Sequence, residues 1–164
     1  MINNFWLKNY NIDSMSNDKI LGVISHDEFL KSFPTLENKN NIVLISILYK
    51  DSIPHNNEVL ESFLDAKEFV FDDATFDEPD KDSFVISDDM AKSIKDFILK
   101  NKDSLFLIHC SAGKSRSAGV AKAVECLTLF DGNKYYYTTG HSSDIDLMAR
   151  YTPNLVVYDK ILNS

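Results

Sequence analysis

Residues 105–119, LFLIHCSAGKSRSAG, constrain the fold of this chain more than any other stretch. Leu105, Phe106, Leu107 and Ile108 form an apolar run of strand type, a turn of small residues follows, and an apolar-periodic helix pattern begins directly after it. The order is strand, anion-sized loop, helix N-terminus. Five residues lie between Cys110 and Arg116, so a compact loop brings thiol and guanidinium to one small ligand while its backbone N–H groups point inward. Unpaired amides and the positive end of the helix macrodipole converge in such a concavity, which favours a phosphate-like dianion. The same field favours a thiolate over a thiol. Two rival readings fail on spacing. A Walker A loop ending in Gly113-Lys114-Ser115 requires a glycine where Ile108 stands. A zinc site built on Cys110 needs further Cys or His ligands, yet Cys126 is sixteen residues away and no CxxC or HxxxH occurs. No metal and no cofactor is expected.

The segments around this core alternate between the two periods of secondary structure. Lys19 to Ile24 reads as a short strand, and Ser25-His26-Asp27-Glu28 has capping-box spacing for a short helix ending before Pro34. Asn41 to Leu48, nearly all apolar and rich in β-branched residues, reads as a central strand buried on both faces. Ser52 to Asn57 reads as a loop, followed by a modest helix carrying Val59, Leu60, Phe63 and Leu64, and then a strand, Lys67 to Phe71. His26 and His55 are expected to be solvated surface residues. The acidic run DDATFDEPDKD reads structurally as a solvated loop. Ser87-Asp88-Asp89 opens a helix through Lys100 with Met90, Ile94, Phe97 and Ile98 on one face.

Beyond the loop, Val120, Ala123, Val124, Leu127 and Leu129 mark a largely buried helix ending near Asp131-Gly132, with Cys126 facing the core. Tyr135, Tyr136 and Tyr137 read as packing residues, Ser143 as the cap of a helix through Arg150, and Pro153 as the first turn of a last helix with Leu155, Val156 and Ile161 inward. Strands alternating with helices imply an α/β fold, a compact and mainly parallel sheet flanked by helices, with the ligand site beyond the carboxyl ends of the strands.

A chain of 164 residues with 44% hydrophobic content supports one domain, residues 1–164 with a core of about 19–162. The net charge of −8 argues against a nucleic-acid or anionic-membrane binder, since both rely on broad basic surfaces. Two cysteines without a disulfide framework suit a reducing compartment. The opening MINNFWLKNYN lacks the charged and apolar regions of a signal peptide, and no apolar run reaches membrane-spanning length. A cytoplasmic monomer is expected.

HCSAGKSR, followed by Ser117, resembles the His-Cys-x5-Arg signature of the cysteine-dependent protein tyrosine phosphatases, and the small size and SRS ending are most similar to the dual-specificity branch. Pro153-Asn154 resembles the step before that branch's final helix. The resemblance covers about Lys19 to Leu162 in element order and implies that branch's compact α/β fold. It implies a phosphomonoester hydrolase acting on phosphotyrosine, and on phosphoserine and phosphothreonine, in phosphorylated protein substrates. Cys110 is then the nucleophile that forms a cysteinyl-phosphate, and Arg116 the bidentate holder of equatorial oxygens. Ser111, Ala112, Gly113, Lys114 and Ser115 complete the phosphate loop. Ser117 hydrogen-bonds the sulfur, and His109 orders the loop rather than acting as a base.

The acid is sought in the acidic run, where Asp72, Asp73, Asp77 and Asp80 compete. Strand alternation points the two aspartates of KEFVFDD in opposite directions, and similar small phosphatases take the second residue after the terminal aromatic, which is Asp73. Asp77 and Asp80 lie closer to the usual spacing from the cysteine. Three alternatives share the signature: a phosphoinositide phosphatase, suggested by AGK in the loop, an RNA 5′-phosphatase, and a phosphate-binding pseudophosphatase without turnover.

Overall fold

The computed structural model describes residues 19–74, 85–129 and 151–164. Four strands, β1 (Ile20–Ser25), β2 (Ile42–Leu48), β3 (Asp65–Val70) and β4 (Leu105–Cys110), form one sheet in the order β1-β4-β2-β3. All three pairings are parallel. Every strand therefore ends on the same edge, and the segments leaving that edge include the cysteine loop. β2 is buried along its whole length and lies inside the sheet, as its unbroken apolar run requires.

Alternation along the strands sends two sets of side chains to two separate cores. Val43, Ile45 and Ile47 of β2 join Phe106, Ile108 and Cys110 of β4 on one face, under helices α3 (Asp88–Lys100), α4 (Arg116–Leu129) and α5 (Leu155–Asn163). Ile42, Leu44 and Leu107 belong to the other core, with Phe29 from α1 (His26–Ser32) and Phe63 after α2 (Asn57–Glu61). His109 stands at the next alternate position after Leu107. The thiol and the imidazole that adjoin in sequence thus leave opposite faces of the sheet.

Helix starts follow local chemistry. Ser25, Asn56 and Ser87 accept from the backbone N–H of Glu28, Val59 and Met90, satisfying amides that the first turn leaves unpaired. Two expectations need correction. The helix after the 52–57 loop spans only Asn57–Glu61, because the Leu64 N–H is taken by the Ile42 and Lys39 carbonyls and the chain has turned into β3; Leu64 is exposed. The last helix starts at Leu155 with Asn154 as its cap, so Pro153 precedes the cap instead of sitting in the first turn. Its inward residues are Val157, Tyr158 and Ile161, while Leu155 is exposed. The expected helix end near Asp131-Gly132, the tyrosine run 135–137, the Ser143 helix, Asp77 and Asp80 lie outside the described residues. Among the described residues no helix is long and apolar enough to cross a membrane.

Candidate active site

Cys110 is the last residue of β4 and Arg116 the first of α4, so the five residues between them form the turn that the sequence spacing demands. The turn closes on the sulfur. The Gly113 N–H donates to Cys110 Sγ at 3.2 Å, and Ser117 Oγ lies 3.1 Å from the same atom. Cys110, Arg116 and Ser117 are buried, whereas Ser111, Ala112 and Lys114 form the exposed rim. A sulfur with an amide and a hydroxyl aimed at it, at the N-terminus of a fourteen-residue helix, sits where negative charge is stabilised.

Gly113 makes this geometry possible. Its φ of 67° is left-handed, and a Cβ there would run into the backbone of Ile24 and Ser25 at the end of β1. Backbone cannot swing aside as a side chain can. Gly113→Ala should therefore displace the loop, costing about 1–3 kcal/mol of stability and about 100-fold in turnover, the scale of a misplacement near 1 Å. Urea melts and aryl-phosphate kinetics check this; wild-type values in both would show that the loop does not need the glycine.

Arg116 is held from two sides. One guanidinium N–H donates to the Phe71 carbonyl at 2.7 Å, and the ring of Tyr49 lies against its face, 4.0 Å from centroid to Cζ. Phe71 follows β3 and Tyr49 follows β2, so the fork is oriented by two neighbouring strand ends. With one of the guanidinium's five donors committed to Phe71, four remain, enough for a bidentate contact with an anion.

Asp73 also reaches the loop. Its Oδ1 accepts from Ser115 Oγ at 2.7 Å and from Asn154 Nδ2 at 2.9 Å. Asn154 is a junction, because its Nδ2 also donates to the Ala74 carbonyl, its Oδ1 caps α5 by accepting from Val157 N–H, and its own N–H donates to the Ser115 carbonyl. One buried amide thus ties together the cysteine loop, the segment carrying Asp73 and the start of the final helix.

On the opposite face, the two histidines expected to be solvated are not. His26, His55 and His109 gather into one cluster, with ring centroids 5.1–5.5 Å apart. His55 Nε2 lies 3.0 Å from His109 Nε2, and Phe29 stacks on His109 with centroids 4.7 Å apart. Burial, reinforced by the neighbouring His55, lowers the His109 pKa to about 3. It is a neutral imidazole at ordinary pH and cannot serve as a proton donor in its charged form. Burial lowers His55 as well, against the opposing pull of Glu68.

Reading the sequence missed Tyr49, the Phe71 carbonyl, the ties of Asn154 to the loop, and the histidine cluster. Tyr49 and Phe71 carry a signal in retrospect, since each immediately follows a parallel strand and must emerge at the site edge.

At the level of sequence no family model and no curated protein matches the chain. Solved structures do. PTPMT1 in complex with PI(5)P is similar at a TM-score of 0.54 and 13% identity, covering 91% of each chain. The human tyrosine phosphatase-like serine/threonine/tyrosine-interacting protein gives a TM-score of 0.51 at 19% identity, covering 81% of this chain and 82% of that one. Identities this low speak for the fold. The parallel sheet, its flanking helices and the strand-to-helix cysteine loop give this chain the same fold as these two solved structures, PTPMT1 and the tyrosine phosphatase-like protein.

Proposed function

We propose that this chain is a dual-specificity-type phosphatase that hydrolyses phosphotyrosine, with phosphoserine and phosphothreonine, in protein substrates. The observation that carries the reading is Cys110 Sγ at the base of a closed loop, facing the Gly113 N–H and Ser117 Oγ, with Arg116 pre-oriented at the loop's end. The thiolate attacks phosphorus in line with the leaving oxygen, forming the S–P bond as the P–O bond breaks. Arg116 and the loop amides meet the charge that spreads over the equatorial oxygens. Asp73 gives its proton to the departing oxygen. Water then attacks phosphorus, Asp73 takes the proton back as a base, and the P–S bond breaks to return a sulfur hydrogen-bonded by Ser117. Arginine and oriented amides supply the charge stabilisation, so the scheme uses no metal.

The small acidic chain favours protein substrates over polyanionic lipid or RNA. A turnover panel of phosphotyrosine, phosphothreonine, phosphoinositide and RNA triphosphate substrates tests both chemistry and preference. Vanadate-sensitive hydrolysis of phosphopeptides, unaffected by chelator, is expected. Hydrolysis abolished by chelator and restored by a divalent ion would overturn the mechanism. A much higher kcat/KM on a phosphoinositide would keep the mechanism and reverse the preference, with exposed Lys114 at the loop rim as the residue to substitute next.

A further inference from the structure

We propose that His26, His55 and His109 form a binding site for one divalent transition-metal ion of the zinc class, on the face of the sheet opposite Cys110. One donor atom from each lies within 4.8 Å of the other two. Two imidazole nitrogens on a tetrahedral ion, each at about 2.0–2.1 Å from it, stand about 3.3 Å apart. The 3.0 Å between His55 Nε2 and His109 Nε2 is already close to that edge. Rotation of the half-buried His26 ring closes the third.

One polar atom of the cluster is left without a partner. His109 is fully buried, and the buried Nδ1 of the neighbouring His26 makes no hydrogen bond. A buried nitrogen without a partner costs about 1–3 kcal/mol, a cost that a ligand shared by the rings would offset. Three such rings converging at the end of parallel strands are better explained by a shared ligand than by packing. Neutral imidazole is the ligand form, and imidazole sets suit zinc, cobalt, nickel and copper over magnesium or calcium. Three protein ligands with a fourth position left for water is an arrangement zinc commonly takes.

The surroundings fit a cation. Glu68 lies beside the cluster, its Oε2 accepting from the His55 backbone N–H and from Ser46 Oγ, which fixes the loop that carries His55. Phe29 covers the trio on the apolar side, contacting both His55 and His109. A cavity of about 360 Å³ opens beside His26, Asp27 and Ser111 and offers an approach from solvent. An ion here would cross-link the first turn of α1, the loop before α2 and the end of β4, directly behind the cysteine loop; the His26 N–H already donates to the Ser111 carbonyl. Its expected effect is to stiffen the base of that loop. The ion has no part in phosphoryl transfer, so the site stands or falls independently of the catalytic reading.

The test uses the full chain carrying Cys110→Ser, which removes the thiol adjacent in sequence to His109. After stripping with chelator, titration with Zn²⁺ and with Co²⁺ should show one ion per chain. Co²⁺ should give the visible bands of tetrahedral nitrogen ligation with no thiolate charge-transfer band. At about a hundredfold excess of Zn²⁺ over Kd, the melting temperature should rise by about 5–10 °C. His26→Gln and His55→Gln, each added to that background, should weaken binding by about 100-fold or more, since losing a ligand exceeds the cost of losing a group around one. Absence of binding in the Cys110→Ser chain overturns the proposal. So does undiminished affinity in His55→Gln, whose partly exposed loop position lets metal-free melting verify that it folds.

Discussion

Cys110→Ser will abolish phosphomonoester turnover, by about 10⁵-fold or more, the scale on which removing a nucleophile acts, while phosphate esters still bind. The two halves of this result have separate origins. Turnover needs a thiolate, and a serine hydroxyl at the same position stays protonated and attacks too slowly to replace it. Binding rests on the loop amides and Arg116, whose orientation depends on the Phe71 carbonyl and the Tyr49 ring, and neither is touched by the substitution. Serine also fits the space, because Ser117 Oγ and the Gly113 N–H can address an oxygen where they now address sulfur. Burst kinetics on an aryl phosphate and equilibrium binding of a phosphotyrosine peptide measure the two halves. Residual turnover near the wild-type rate would remove cysteine as the nucleophile. Loss of binding together with turnover would mean that the sulfur holds the loop open, and that the amide cradle is not preformed.

The parts of the molecule legible in sequence were those governed by neighbours along the chain. β2 announced itself as an unbroken apolar run, and Ser25 and Ser87 as caps with acidic residues behind them, because period and capping are local properties. The cysteine loop was legible for the same reason, since six consecutive steps of backbone contain both reactive groups. The start of the final helix was misread where a tertiary contact overrode a local preference. Proline suits a first turn, but the Asn154 N–H is claimed by the Ser115 carbonyl, and its side chain is then placed to cap Val157. The histidine cluster was out of reach altogether. Positions 26, 55 and 109 share no spacing rule, and only the parallel register, which aligns Ile24 with His109 and Ser46 with His109, delivers them to one edge of one face. Tyr49 against Arg116 belongs to the same class of contact.

Asp73→Ala will lower the rate on phosphotyrosine by about 10²–10⁴-fold, the usual contribution of a positioned general acid, and will change the rate on an activated aryl phosphate far less. Tyrosine leaves as a phenolate whose conjugate acid has a pKa of about 10, so without a proton it departs slowly; an already acidic phenol leaves unaided. The contacts of Asp73 support this residue. Asp73 Oδ1 is drawn to the cysteine loop by Ser115 Oγ, and Asn154 Nδ2 holds both that oxygen and the carbonyl of Ala74, so the carboxyl is tied to the loop by two donors. Removing the acid should also flatten the alkaline limb of the pH–rate profile, which reports the loss of a donated proton. Asn154→Ala should reproduce the leaving-group dependence in part, since it loosens the carboxyl without removing it, and should also cost about 1 kcal/mol of stability through the lost helix cap. A cap alone would lower stability and leave the two substrates equally affected. If Asp73→Ala matches wild type on phosphotyrosine while Asp77→Ala or Asp80→Ala shows the dependence instead, the acid is that residue, Asp73 is a brace for Ser115 and Asn154, and the cysteine mechanism stands unchanged.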